Sequence, residues 1–234
     1  MATNTRLRPF LYALTAVSGI VDAVSYLGLG RVFTANMTGN VVLLGFAIAG
    51  APGLSIPRSL TALLAFLAGA VLGGRIASRM SSGPQHLWVG VAFGAEAVLL
   101  FCAAAASIGP GSAPSIDPTR VYAVIVLTAV AMGMRNAVVR KIGLPDMTTT
   151  VLTLTLTALA SESSLAGGNN SGWQHRVAAV ALMFVGAAGG VLLLRHSIAL
   201  PLAVSGAIAG VCALAVVFGA GSVPVNRPAG DQGS

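Results

Sequence analysis

Hydrophobic residues run through this chain in long blocks, and polar residues gather in short breaks between them. Eight apolar segments can be drawn, at residues 9–29, 35–51, 58–79, 86–108, 119–139, 147–160, 174–195 and 198–220. Most approach the roughly 20 residues that carry a helix across the hydrocarbon core of a bilayer. The segment 147–160 is nearer to the length of a half-crossing, and 35–51 opens on the polar run from Thr34 to Asn40. The pattern predicts an all-α fold, a polytopic transmembrane helix bundle of six to eight helical segments in two related halves. In each half the second segment is expected to be short or re-entrant.

The two halves are read from a polar motif that recurs in altered form. Gly19 to Val41 reads GIVDAVSYLGLGRVFTANMTGNV, and Gly133 to Val151 reads GMRNAVVRKIGLPDMTTTV. Aligning Gly19 with Gly133 sets Asp22 opposite Asn136, and a short deletion then sets Met37-Thr38 opposite Met147-Thr148. A second match extends the repeat, FLAGAVLG from Phe66 against MFVGAAGG from Met183. The resulting organisation is a cytoplasmic N-terminal segment at 1–8, a single integral membrane domain at 9–220 with halves 9–108 and 119–220, and a disordered Pro- and Gly-rich tail at 221–234. Arg6 and Arg8 before the first run imitate a signal peptide, but that run carries the motif and is expected to be retained.

Charge bears on topology. If 35–51 and 147–160 only dip into the bilayer, each half crosses three times and the halves are inverted. Starting inside, that arrangement puts Arg6, Arg8, Arg75, Arg79, Arg140, Lys141, Arg176 and Arg227 on the cytoplasmic side, against Arg31, Arg58, Arg120 and Arg195 outside. Eight crossings give parallel halves and no such bias. The positive-inside rule favours inversion, with the N-terminus cytoplasmic.

Composition narrows the function classes. The chain is 56% hydrophobic and only 8% charged, with mean hydropathy +0.87, against roughly 25% charged residues in soluble domains. Its net charge of +7 is scattered at segment ends rather than gathered in a stripe, so it anchors helices and does not make a nucleic-acid surface. Cys102 and Cys212 fall inside apolar runs, and the spacing suits neither a disulfide framework nor a metal site. No cofactor is implied. His86, His175 and His196 are far apart near segment ends, without a catalytic signature, so an enzyme is not expected.

The polar residues inside apolar runs are the site candidates. Asp22 and Glu96 are carboxylates at membrane depth, where such groups face the bundle interior, find a partner or take up a proton. Arg135 stands beside the counterpart of Asp22, so the two are expected to meet across the repeat axis, either as a structural ion pair or as part of a ligand site. Glu96 is the candidate proton carrier; its bland alternative is a neutral acid bonded to a backbone carbonyl. Asn36, Thr38, Gly39 and Asn40 either present a helix start to a ligand or fasten helices together. The Asp146 to Thr150 run, including Thr149 and Thr150, would make a second such start, and Asn136, the counterpart of Asp22, is placed at the polar centre. Thr150, Thr153 and Thr157 share one helical face, which either lines a polar path or bonds back to its own helix. Gly69 with Gly73, Gly186 with Gly190, and Gly90 with Gly94 have the spacing of close-packed membrane helices and would permit a homodimer.

The stretch VSGIVDAVSYLGLGRVFTANMTGNVVLLG, from Val17 to Gly45, resembles the signature of the YoaK-like family of bacterial membrane proteins of unknown function. Its specific elements are D-A-x-x-[YF]-L and M-T-G-N, which map here onto Asp22, Phe33, Met37, Thr38, Gly39 and Asn40. The later Gly133, Asn136, Ala137 and Thr148 to Thr150 fit as well. The resemblance implies a multi-pass protein of the bacterial inner membrane and supplies no substrate. Together the readings give an integral membrane protein that binds or transports a small solute at a polar site between two repeats, with the lipid bilayer as its constant partner. The alternative is a structural or accessory protein whose polar motif only locks helices together.

Overall fold

The sequence folds into helices wherever its apolar blocks are long, and local chemistry sets the ends. The computed structural model describes residues 2–109, 117–143 and 152–219. In it run α1 (Ala2–Gly28), α2 (Met37–Ile48), α3 (Ile56–Arg79), α4 (Gln85–Ser107), α5 (Pro118–Ile142), α6 (Leu152–Ser161), α7 (Trp173–Leu194) and α8 (Ala199–Gly219), with a 3-10 turn at Ser164–Ala166. Asn36, Ser55 and Asp117 cap α2, α3 and α5 by accepting backbone N–H groups of the first turn. Pro118 opens α5, where its missing N–H costs nothing, and Gly143 closes it in the left-handed conformation, φ 70°.

Six of these helices are long and apolar enough to cross a membrane: Leu7–Gly28 within α1, then α3, α4, α5, α7 and α8. At 12 residues α2 is about 18 Å long, well short of the roughly 30 Å hydrocarbon core. The described part of α6 has 10 residues. The chain is therefore a polytopic helical bundle, with two shorter apolar helices among the described residues, one following α1 and one following α5.

α1 and α5 are the most enclosed helices, and α3 and α7 flank them. α1 packs on α7, α5 on α3, and α4 lies along α8; α4 also touches α5, and α8 touches α1. The outer helices turn large apolar side chains outward, among them Leu64, Leu67 and Val71 of α3 and Phe184, Val185 and Leu192 of α7. In water such a surface would be a liability; against lipid it is the expected face.

Glycines set the closeness of the two flanking crossings. A methyl group on Gly19 of α1 would overlap the Met183 carbonyl and come within 2.7 Å of the Ala187 nitrogen on α7. One on Gly133 of α5 would overlap the Phe66 carbonyl and come within 3.0 Å of the Ala70 nitrogen on α3. Gly69 and Gly73 return these contacts against Val130 and Met134, as Gly186 and Gly190 do against Ala16 and Ile20. Backbone thus meets backbone at both crossings, with dispersion rather than water exclusion holding the helices.

Candidate functional site

The first polar cluster grows from the chain reversal after α1. Gly30 (φ 92°) and Arg31 (φ 59°) both take the left-handed conformation, which turns the chain so that residues 32–36 pass back beside α1. The Arg58 guanidinium occupies the space a side chain at Gly30 would need. The returning strand is then fastened at two points. The buried Asp22 carboxylate accepts the Ala35 N–H at 3.3 Å, with the Asn36 amide as a further donor. Asn40, 1% exposed, accepts the Phe33 N–H at 3.3 Å and donates through Nδ2 to the Ser59 carbonyl on α3 at 2.9 Å.

Other residues of the motif complete this fastening. Asn36 Oδ1 accepts the Gly39 N–H at 3.1 Å as the cap of α2. Phe33 stacks on Tyr26 of α1 with ring centroids 5.1 Å apart, and its ring leaves little room at Gly39, where a methyl group would meet it at 3.1 Å. Thr38 is exposed. The Thr34 hydroxyl is buried without a hydrogen-bond partner.

The second cluster lies among α1, α4, α5 and α8. Arg135 of α5, 3% exposed, and Glu96 of α4, 0% exposed, form an ion pair with Nη1 to Oε1 at 3.0 Å. Arg135 Nη1 also donates to the Leu14 carbonyl of α1 at 2.9 Å, while Nη2 donates to the Ser18 hydroxyl and reaches the Met132 sulfur at 3.0 Å. Ser18 in turn donates to the Leu14 carbonyl at 3.2 Å. The Glu96 Oε2 atom is buried with no hydrogen-bond partner. Cys212 of α8, whose sulfur is 3.9 Å from the Phe10 carbonyl, lies within electrostatic range of both charges.

The expected Asp22–Arg135 pair is therefore not what the structure holds. Arg135 is paired with Glu96, and Asp22 turns instead to backbone amides, remaining within electrostatic range of the guanidinium. The physical reason is packing: α4 lies against α5 and brings a carboxylate directly to Arg135, whereas the loop after Arg31 brings donors directly to Asp22. Glu96, which has no basic neighbour in sequence, thereby gains one in space.

Asn136 donates to the Met132 carbonyl at 2.8 Å. Thr153 and Thr157 are exposed, and the Thr157 hydroxyl donates to the Thr153 carbonyl at 2.9 Å; the buried threonine of α6 is Thr155. Thr149 and Thr150, with Asp146 to Thr148, lie outside the described residues, as does the tail 221–234. Among the described residues no group of three His, Cys, Asp or Glu side chains is placed to hold a metal.

Sequence reasoning missed Ser18, Met132 and Ser59. Ser18 was within reach, since it lies one helical turn before Asp22 on the same face of α1. Met132 was within reach too, one helical turn before Arg135 on α5, whereas Ser59 gave no signal, because its backbone carbonyl becomes a partner only through packing. What the second cluster offers chemically is a fixed cation, a neutralisable anion and one unspent carboxylate oxygen, all shielded from water.

Comparison with known proteins follows the same outline. A family model described as a protein of unknown function, DUF1275, matches residues 10–217. Over 154 residues the chain is 36% identical to the transmembrane protein YoaK (UPF0700) of Bacillus subtilis strain 168, and the match covers 66% of each chain. No solved structure matches it.

Proposed function

The chain belongs to the DUF1275 family, as a multi-pass membrane protein, and from that premise we propose that it binds and moves a small solute at the Arg135–Glu96 cluster between two inverted repeats. The observation that carries this reading is a fully buried ion pair in which Glu96 Oε2 has no partner. A pair built only to hold helices would gain from satisfying every oxygen, because breaking or under-satisfying buried charge costs several kcal/mol, roughly 3–5 when one partner is lost. Ionisable groups in membrane helices mark solute paths by default.

Contacts at the crossings support the repeat. Ala16, Gly19 and Ile20 of α1 meet Met183, Gly186, Ala187 and Gly190 of α7 as their counterparts Val130, Gly133 and Met134 of α5 meet Phe66, Gly69, Ala70 and Gly73 of α3. The α4–α8 pair fits too: setting Gly94 opposite Gly206 puts Phe101 opposite Ala213, and Gly94 faces Ala213 as Gly206 faces Phe101. With three long helices in each half among the described residues, the proposed halves enter the bilayer in opposite senses, with the N-terminus cytoplasmic. Thiol labelling of Arg79→Cys in intact cells tests this: protection from an impermeant reagent is expected, and labelling from outside would overturn inversion.

The function is tested by melting purified full-length protein against a solute panel, repeated on Glu96→Gln and Arg135→Gln. A bound solute at 100 times its Kd adds about 2.7 kcal/mol of stability, so a clear rise in Tm is expected for wild type and its loss in Arg135→Gln. A panel that leaves wild type unmoved would sink the proposal. A second reading, a structural or accessory role, is favoured by the Asp22 and Asn40 contacts, which are spent on fastening the α1–α2 connection.

A further inference from the structure

We infer that the Arg135–Glu96 site takes up a small planar oxyanion together with one proton, the anion on the guanidinium and the proton on Glu96. This rests on the solute-binding reading above and names the chemistry of its substrate.

The inference starts from what each partner can change. An arginine guanidinium does not give up its proton in proteins, whereas a carboxylate readily accepts one. In a site this dry, neutralising Glu96 leaves Arg135 as an uncompensated buried cation, and bringing in an anion without neutralising Glu96 leaves a surplus negative charge. Either event alone is costly; together they leave the net charge of the site unchanged. Proton and anion uptake are thus coupled, and by linkage each raises affinity for the other. A cationic solute has no such route, because it would share the site with a charge that cannot be switched off.

Hydrogen-bond geometry fits the exchange. Glu96 holds Arg135 through one oxygen only, so the pair is not the two-bond fork that carboxylate and guanidinium form at their best. The other amino group, Nη2, is spent on the Ser18 hydroxyl and a thioether sulfur, which is a weak acceptor. An incoming planar oxyanion can take both Nη groups and release Met132. Glu96 Oε2, which has no partner, is the atom open to the proton. Facing this carboxyl are Arg135 from α5 and Cys212 from α8; Ser18 and the Leu14 carbonyl of α1 hold the guanidinium, with Asp22 further along and within its electrostatic range.

Nitrate is the decisive probe, since it is planar and permanently ionised, so any proton taken up belongs to the protein. Formate tests the carboxylate class, with formamide as its neutral counterpart and methylammonium as a cation. Binding to purified full-length protein is measured by calorimetry at pH 5.5 and 7.5 in buffers of different ionisation enthalpy. We expect nitrate and formate to bind at least tenfold tighter at the lower pH, with uptake of up to one proton per anion, and formamide and methylammonium to be silent. Glu96→Gln should bind nitrate at both pH values with no proton uptake. Asp22→Asn should keep the wild-type pH slope, and the charge-neutral double variant Glu96→Gln/Arg135→Gln, which avoids a lone buried charge, should bind no nitrate. Affinity independent of pH in wild type, or loss of nitrate binding in folded Glu96→Gln, would overturn the inference. If cationic or neutral solutes bind while both anions are silent, the inference falls and the solute site stands; if nothing binds, both fall.

Discussion

Two buried carboxylates a short distance apart in this bundle are used in opposite ways. Asp22 reaches the backbone of its own following loop, and its partners, Ala35 and Asn36, are neutral amides brought there by a tight reversal. Glu96 reaches across to another helix, its partner is a full charge, and one of its oxygens is left over. The first arrangement is local and neutral; the second is long-range and leaves a buried oxygen without a partner. Polar groups in a lipid-facing chain thus divide by what they leave unspent, and depth in the apolar sequence does not tell the two kinds apart.

The sharpest test of this contrast is Arg135→Ala. It leaves Glu96 buried alone and should cost about 3–5 kcal/mol at neutral pH, read as a fall in denaturation midpoint in detergent. The cost should shrink at low pH, because a protonated Glu96 needs no counter-charge. The apolar pair Glu96→Leu/Arg135→Met should recover most of the stability while losing any solute response; a single variant as stable as wild type would dissolve the distinction.

Next in size are the crossings that hold both clusters in place. Gly133→Ala and Gly19→Ala each push a methyl into backbone, for about 1–3 kcal/mol or more. Similar losses in both, measured in one denaturation series, would sharpen the case for equivalent halves, and a strong inequality would weaken it.

Asp22→Ala should cost about 1–3 kcal/mol by leaving loop amides unsatisfied. Its effect should be local: a Phe33→Cys probe should label faster in the Asp22→Ala background, while any solute response at Arg135 is retained. Smallest of all are Thr153→Val and Thr157→Val, expected to stay within about 0.5 kcal/mol of wild type because both side chains are exposed. A loss of solute response in either would return the threonine face to the functional picture.

Much of the scaffold was legible because lipid imposes one rule, that long apolar runs become helices. Segment 86–108 became Gln85–Ser107 and 174–195 became Trp173–Leu194. Two of the three glycine pairs, Gly69 with Gly73 and Gly186 with Gly190, announced close packing by spacing alone, while Gly90 and Gly94 face side chains of α8. The short length of α2 followed from the polar run that precedes it, and Asn36 is its cap. The partners of Asp22 and Arg135 were another matter. Sequence proximity within the motif joined them, but α4 is brought to α5 by tertiary packing, a relation with no local sequence signature. In the threonine stripe the described residues fit the back-bonding alternative, the Thr157 hydroxyl donating to the Thr153 carbonyl, and the orientation of α6 decides that Thr155, not Thr153 or Thr157, faces inward.

The glycine crossings carry an evolutionary consequence. At Gly19 and Gly133 the contacting atoms are backbone carbonyls and amide nitrogens, which are the same whatever residues supply them. Mutational drift can therefore replace nearly every side chain around such a crossing without moving it, provided the glycine survives. Under the repeat proposed above, Val21 falls opposite Arg135 and Ile208 opposite Glu96, and neither pair shares chemistry. On that proposal, a pair of oppositely charged residues could be acquired on one side of the repeat at little cost to the scaffold, with the glycines as the main record of the symmetry.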